Sequence, residues 1–413
     1  MAVVRNGVET YQEDRLVVDQ RASGLVQEQL RRRGFASHEA GTSDPLGLTL
    51  LALPQFASSA ALLRQDAALV QAAAAAQQAS GLAGAADDMS LLLFALRREF
   101  WRKYDGWAPA MDKDQVMVQG MPYIKGAVGL PDRAGPLAIP PASGEGGPRV
   151  AILDTDLYAH PGLAGRYLGP AHDFGPEPPD TLGHSVFVAG LIAARAPAAE
   201  LVVRPVLDAD GENASSWDVA TQMAAIQAED VAVLNLSLGC ATADRQPPLC
   251  LRRAAGLLLP GVVIVASAGN NGSASPLSAA MGLTPVTPIF PAAMDGVIGV
   301  GAYQGPAASP EPAPFSPPGV PWVRLLAPGV RVTSTFLSGK VRRMKLDQAG
   351  QLVQQDITEF GHPGYATWDG TSFAAAGVSG AIAALMQDRR VSAREALDLI
   401  LNAQVPGSDI VTA

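Results

Sequence analysis

From Arg149 onward, apolar runs of strand length alternate with helical segments, a pattern that restricts this part of the chain to a parallel sheet covered on both faces by helices. The strands expected from these runs are Arg149–Leu153, Leu201–Val206, Val231–Leu238, Val262–Ala268, Val297–Gly301 and Val330–Thr335. Helices fall between them at His184–Ala194, at Trp217–Ala228 with Ser216 as cap, and at Leu249–Leu258. A last helix starts at Ala393 behind a capping box, Ser392-Ala393-Arg394-Glu395. The fold class is therefore α/β, a doubly wound and mostly parallel sheet.

One helix stands apart in composition. Gly370-Thr371-Ser372-Phe373-Ala374-Ala375-Ala376-Gly377-Val378-Ser379-Gly380 runs on into Ala381–Met386, with small or apolar residues on every face, so protein must enclose it. Thr371 or Ser372 is placed to cap its first turn, at the positive end of the helix. Read alone, such a serine is a structural cap.

The chain has 413 residues, more than one core usually holds, and its first third has a different character. Gln, Arg and Ala are abundant there, and helices are expected at Gly24–Gly34, Ser58–Ser80 and Asp87–Tyr104, the last capped by Asp87 or Asp88. This reads as a smaller, mainly helical domain with no catalytic constellation, and His38 reads as a surface residue. Gly120–Pro148 is rich in Gly and Pro and reads as an exposed linker. The division drawn is 1–145 and 146–413.

Net charge narrows the partners. At −9, with a pI near 5.1, the chain is not expected to hold nucleic acid or an anionic membrane surface. Its apolar stretches are too short to span a bilayer, and the N-terminus shows no basic segment followed by an apolar core, which favours a cytoplasmic location. Export by a route without a cleaved signal stays open. The two cysteines, Cys240 and Cys250, could bridge one local loop, but read as free thiols in a reducing compartment.

Residues just past the strands are the ones to inspect in an open α/β sheet, because ligands bind at its carboxyl edge. Asp154 follows Arg149-Val150-Ala151-Ile152-Leu153 directly. His184 opens a second small-residue helix in Gly183-His184-Ser185-Val186-Phe187-Val188-Ala189-Gly190. Asn270 ends the run Gly261–Gly269, and Ser372 starts the enclosed helix. Singly, each has a structural reading as turn former, core histidine or cap. Together they supply what nucleophilic catalysis needs: a hydroxyl, a base, a carboxylate to fix the base's tautomer, and a donor for the oxyanion. The chain order Asp, His, Ser is that of subtilisin.

With those residues in view, the sequence from Pro148 to Asn402 resembles the subtilisin-like serine proteases, the subtilase family. The likeness covers Val150–Thr155, Gly183-His184 with Val188-Ala189-Gly190, Val233-Leu-Asn235-Leu-Ser237-Leu-Gly239, and Val265–Gly272. It continues through Pro291-Ala292, Val297–Ala302, Phe315-Ser316, Ala327–Thr335 and Gly370-Thr371-Ser372. What it implies is a subtilisin-like fold with Ser372 as nucleophile, His184 as general base and then acid, Asp154 as its orienter, and Asn270 with the Ser372 amide as oxyanion hole. Substrate would lie extended against Leu236, Ser237, Leu238 and Gly239, and Ala266, Ser267, Ala268 and Gly269 would wall the primary specificity pocket. No charge lines those segments, so an apolar or small residue is expected before the cleaved bond.

The likeness has departures. The family usually has Gly-Thr after the histidine, where this chain has Ser185-Val186; after the nucleophile it usually has Met-Ala-x-Pro-His, and Phe373, Ala376 and Gly377 replace the Met, Pro and His. None of these removes a catalytic group. A hairpin is expected between Lys340–Leu346 and Gln351–Thr358, at the rim of the cleft. Its basic residues Arg342, Arg343 and Lys345 read as a solvated face, or else as a selector of acidic substrates. Asp208-Ala209-Asp210-Gly211-Glu212-Asn213 starts like a calcium loop but has Val219 in place of the bidentate glutamate, so it reads as a polar turn. His160, His172 and His362 show no ligand spacing and read as surface residues.

The resemblance implies a serine endopeptidase acting on a protein or peptide substrate through an acyl-enzyme. It needs no cofactor; subtilases often bind structural calcium, at no site that spacing locates here. Residues 1–145 would be a pro-segment that acts on its own catalytic domain and is released by self-cleavage near residue 145, or a permanent regulatory domain. A non-catalytic peptide-binding protein and a transpeptidase are the alternatives. Substrate identity and oligomeric state are not legible.

Overall fold

A computed structural model describes every residue except 1, 81–85, 120–128, 143–145, 169–170, 173–174, 209–210, 212, 273–277, 279–280 and 347–351. The chain forms two compact units, and the first is not one continuous segment: it comprises Met1–Val116, Ser215–Ala224 and Ala241–Leu257.

The second unit is built on the expected parallel sheet. Its strands run in the order Val323–Pro328, Ile298–Gln304, Val263–Ser267, Val231–Leu236, Arg149–Asp154, Glu200–Pro205 and Tyr167–Leu168, all parallel, with Val411–Thr412 antiparallel at one edge. Val, Ile and Leu dominate the central strands, and Val150–Leu153 and Val263–Ser267 are buried throughout, as a sheet covered on both faces requires.

Helices His184–Arg195 and Thr371–Arg389 pack on each other and share one core with the sheet. Gly190 permits a close approach: a Cβ there would lie 2.2 Å from Thr335 Oγ1 and 2.4 Å from Ser334 Oγ. Those two hydroxyls donate to the helix carbonyls of Val186 and Phe187.

Several expectations change in detail. The run at Val330–Thr335 forms strand Val332–Phe336, but it pairs antiparallel with Gly364–Trp368, which also pairs with Asp132–Arg133 in a separate sheet. Val323–Pro328 takes its place in the parallel sheet. Neither Thr371 nor Ser372 caps its helix; Gly370 is the cap position and provides no side-chain bond. The capping box at Ser392 and Glu395 is present in both directions.

His160 is a core residue, not a surface one. Its Nδ1 accepts from the Gly162 amide, and its Nε2 lies 2.9 Å from the Gly364 carbonyl, 204 residues away. The hairpin forms from Gly339–Leu346 and Leu352–Phe360, with its expected turn at Asp347–Gly350 outside the described residues. The linker expected at Gly120–Pro148 falls partly outside them as well.

In the first unit the helices are accompanied by an antiparallel sheet. Strands Val3–Asn6, Glu9–Asp19, His38–Ser43, Leu48–Ala52 and Met111–Gln119 form it, the last as far as Gln115. Ser23–Arg32 and Asp88–Lys103 match expectation, the latter capped by Asp87. The stretch Ser58–Ser80 divides into Phe56–Leu63 and Ala67–Ala79, because the Asp66 carboxylate accepts from the Leu69 amide and starts a new helix.

Within this unit a buried carboxylate, Asp114, and a half-buried one, Asp112, meet helix N-termini. Asp114 accepts from Ser215 Oγ, Ser216 Oγ and the Trp217 amide, and Asp112 accepts from the Leu249 amide at 2.8 Å. Burial pushes each carboxyl up to about 6. Cys250 in the first unit and Cys240 in the second are both buried thiols not joined in a disulfide.

Candidate active site

Strand register assembles the site. Leu153, Leu236 and Ala266 are aligned neighbours in the parallel sheet, so Asp154, Ser237 and Ser267 reach its carboxyl edge side by side. His184 is the first residue of its helix and Ser372 the second of its own, and the packing of these helices brings both to the same edge.

Asp154 and His184 are in direct contact. Nδ1 of His184 lies 2.8 and 2.9 Å from the two Asp154 carboxylate oxygens, with the carboxylate fully buried and the imidazole 3% exposed. The Thr155 amide also donates to Asp154. A carboxylate on Nδ1 selects the tautomer that carries the proton there, which makes Nε2 the basic nitrogen.

Asn270 is oriented from one side. Its Oδ1 accepts from the Thr371 amide at 3.1 Å and lies 3.0 Å from Thr371 Oγ1, so the planar side chain directs its NH2 away from Thr371. Thr371, the residue before Ser372, is thus a contact that orients Asn270, and sequence reading gave it only a capping role.

Ser372 meets Ser237 rather than standing alone. Its Oγ donates to the Ser237 carbonyl at 3.3 Å, while Ser237 Oγ donates to the Ser372 carbonyl at 3.1 Å. Behind Ser237, Asn235 Nδ2 donates to Ser237 Oγ and Ser379 Oγ donates to Asn235 Oδ1, a buried relay from the Ser372 helix back to the strand. The motif Asn235-Leu-Ser237 was visible in sequence; its partner Ser379 was not, since nothing local marks a residue 144 positions away.

The wall segments are placed as neighbours of this centre. Ala266, Ser267 and Ala268 are buried beside Leu236 and Val300, and Leu238–Gly239 forms a short strand. That strand already has an antiparallel neighbour: Gln119 pairs with Leu238 and Val118 with Gly239, all within the second unit. Gln119 Nε2 also donates to the Thr181 carbonyl, in the turn that precedes His184.

The hairpin lies against the segment that leads into the turn before His184. The Arg342 amide and Nε donate to the carbonyls of Pro178 and Glu177, and Arg343 forms a two-point pair with Asp356 and a longer one with Asp132. These two arginines are held by specific partners, unlike a solvated basic face; the side chain of Lys345 lies outside the described residues. Asp208 sits in a turn, accepting from Gly211 N and Asn213 Nδ2. Among the described residues no group of three or more His, Cys, Asp or Glu side chains is arranged to hold a metal ion, and no helix is long and apolar enough to cross a membrane.

Comparison with known proteins gives a consistent result. A model described as the subtilase family matches residues 145–409. A thermostable alkaline protease of Halalkalibacterium halodurans is 33% identical over 205 residues, 47% of this chain and 51% of that protein. Subtilisin BL of Lederbergia lenta is 32% identical over 256 residues, 58% of this chain and 77% of its own length. The chain spans about half the length of the first two such relatives. The crystal structure of fervidolysin from Fervidobacterium pennivorans, described as a keratinolytic enzyme related to subtilisin, aligns with TM-score 0.59 at 18% identity, over 98% of this chain and 60% of that one, a likeness of fold.

Proposed function

The chain belongs to the subtilase family, and from that premise we propose that it is a serine endopeptidase that cleaves peptide bonds through an acyl-enzyme on Ser372. The observation that carries this reading is the buried contact of the Asp154 carboxylate with His184 Nδ1, because it leaves Nε2 as the base at the sheet edge that also holds Ser372.

In this reading Ser372 Oγ leaves the Ser237 carbonyl and attacks the carbonyl carbon of the substrate, and its proton passes to His184 Nε2. The imidazolium so formed is held by Asp154, which itself stays ionised. Negative charge collects on the former carbonyl oxygen, where Asn270 Nδ2 and the Ser372 amide are its donors. Collapse breaks the C–N bond, and the leaving amine takes the proton from Nε2. Water then repeats the sequence on the ester, with His184 as base, and restores Ser372.

The strand Met117–Gln119 supports a further part of the reading, that the N-terminal region inhibits its own catalytic domain until it is cut. An extended peptide pairing with Leu238–Gly239 is the arrangement expected of a substrate, and Val118 and Gln119 hold that pairing in the intact chain.

The test is hydrolysis of an unfolded protein substrate by the full chain and by Ser372→Ala. Cleavage that Ser372→Ala abolishes supports the reading. Cleavage that persists in Ser372→Ala assigns the activity elsewhere.

A further inference from the structure

The residues on either side of the nucleophile both reach the imidazole. Trp368, the last residue of strand Gly364–Trp368, stands edge to face with the His184 ring at 5.9 Å between centroids. Phe373, next to Ser372 in the helix, lies at 5.5 Å and 43° to the same ring. Trp368 and Phe373 touch each other at 5.3 Å, and Phe187, one turn along the histidine helix, packs on both.

The indole is itself anchored. Its Nε1 donates to the Gly129 carbonyl at 3.3 Å, and its ring meets Phe336, which in turn packs on Phe360 at the base of the hairpin. Trp368 is 6% exposed and Phe373 2%, so both rings are held by protein on most sides.

We propose that Trp368 is a positioning residue, and that with Phe373 it clamps the His184 ring in the plane where Nδ1 stays on Asp154. The role rests on the hydrolase reading for its catalytic consequence. A histidine in this position carries two demands: it must keep Nδ1–H on the carboxylate, and it must accept a proton at Nε2 without swinging away. Rotation of the ring is opposed by an indole and a phenyl that cannot yield, because each is packed on further aromatic rings. The centroids of both rings lie within about 6 Å of the imidazole, close enough for their quadrupoles to act on the imidazolium that forms during the reaction. One six-residue stretch, Trp368–Phe373, therefore delivers the nucleophile and holds the base that activates it. The replacement of the family's usual methionine by Phe373 has a role in this arrangement, since a phenyl supplies the second face.

Two readouts test the clamp. The first is the rate at which a fluorophosphonate probe labels Ser372 as a function of pH. Trp368→Leu is expected to lower the rate about tenfold, a loss of about 1.4 kcal/mol of transition-state stabilisation, and to move the midpoint of the acid limb downward; Trp368→Phe, which keeps a ring, recovers most of the rate. Unchanged rate and midpoint in Trp368→Leu, or an equal loss in Trp368→Phe, overturns the proposal.

The second readout needs no activity and no Leu variant. A protonated imidazole quenches a neighbouring indole, so the emission difference between Ser372→Ala and Ser372→Ala with Trp368→Phe should show a step with pH that His184→Gln removes. A difference spectrum with no step, or with a step that survives His184→Gln, overturns the clamp. If the folded chain labels at no pH even after removal of the residues up to Gln119, the hydrolase reading fails, and the emission step still decides whether Trp368 senses His184.

Discussion

Ser237 and Ser372 hold each other twice: the Ser372 hydroxyl rests on the Ser237 carbonyl while the Ser237 hydroxyl donates to the Ser372 carbonyl. The strand proposed to bind substrate and the helix proposed to carry the nucleophile are thereby joined at Ser372. A peptide that reaches the Ser237 carbonyl competes for the acceptor on which Ser372 rests.

Ser237→Ala removes the hydroxyl, leaves the carbonyl, and deprives Asn235 Nδ2 of its partner. With one buried hydrogen bond of about 1 kcal/mol lost at the nucleophile's own carbonyl, kcat should fall several-fold with KM little changed. Steady-state kinetics on a peptide substrate check this; a rise in KM alone would place Ser237 in substrate binding and not in positioning.

Asn270→Ala should be more damaging, because the amide acts only when the oxyanion has formed. A fall in kcat of about 10²–10³ at near-constant KM is expected for the loss of one such donor. A fall confined to KM would remove Asn270 from that role.

At Gly190 a methyl group would meet the Thr335 and Ser334 hydroxyls that bind the histidine helix. Gly190→Ala should cost about 1–3 kcal/mol through overpacking and displace His184 with its helix. Denaturant unfolding and probe labelling measured together would show both losses; a stable variant with native labelling would mean that the contact relaxes elsewhere.

Asp112 and Asp114 set a pH dependence in the first unit. Their carboxyls are pushed up to about 6 by burial, above the usual range near 4 for an unfolded chain. The folded state therefore binds their protons more tightly, so their stabilisation is full below about pH 4 and is lost as pH rises through about 6. Asp87 acts in the other direction only at lower pH: burial opposes it, but Lys113 and the Ser90 amide hold it down to about 2. Thermal unfolding of full-length Ser372→Ala should show the first unit more stable at pH 5 than at pH 7.5, and Asp112→Asn with Asp114→Asn should flatten that difference. Equal stability at the two pH values in the parent protein would contradict it.

The candidate site residues could be picked out because each stands in a short motif beside a run of unmistakable strand or small-residue helix, as Asp154 and Ser372 do. What was not legible depends on distant partners. His160 sits in a Pro-Gly context that reads as surface, and the distant Gly364 carbonyl and Tyr365 ring that hold it inside leave no local mark. Glu9–Asp19 is a strand whose first half, Glu-Thr-Tyr-Gln-Glu-Asp-Arg, carries too many charges to show an apolar pattern; part of it is buried because Lys113 pairs with Glu9. Val323–Pro328 lies behind Pro317, Pro318 and Pro321, which mark a turn more strongly than the run marks a strand. The aromatic ring of contacts around His184 joins residues 184, 187, 336, 368 and 373, and no local window contains them.

The self-cleavage proposed for the N-terminal region is placed more closely by strand pairing than by composition. The Gly and Pro content before Pro148 points near residue 145, whereas Val118 and Gln119 pair with Gly239 and Leu238, the residues directly after Ser237, whose carbonyl accepts from Ser372 Oγ. The first bond cut should therefore lie within a few residues after Gln119. Intact mass and N-terminal sequencing of incubated protein distinguish the two positions, with Ser372→Ala as the uncut control.

Reaction of the purified chain with a fluorophosphonate probe tests most directly whether Ser372 is an activated nucleophile. Stoichiometric labelling at Ser372 that is lost in Ser372→Ala and strongly slowed in His184→Ala is the expected result. A protein that remains unlabelled after removal of the residues up to Gln119, while still folded, would contradict it.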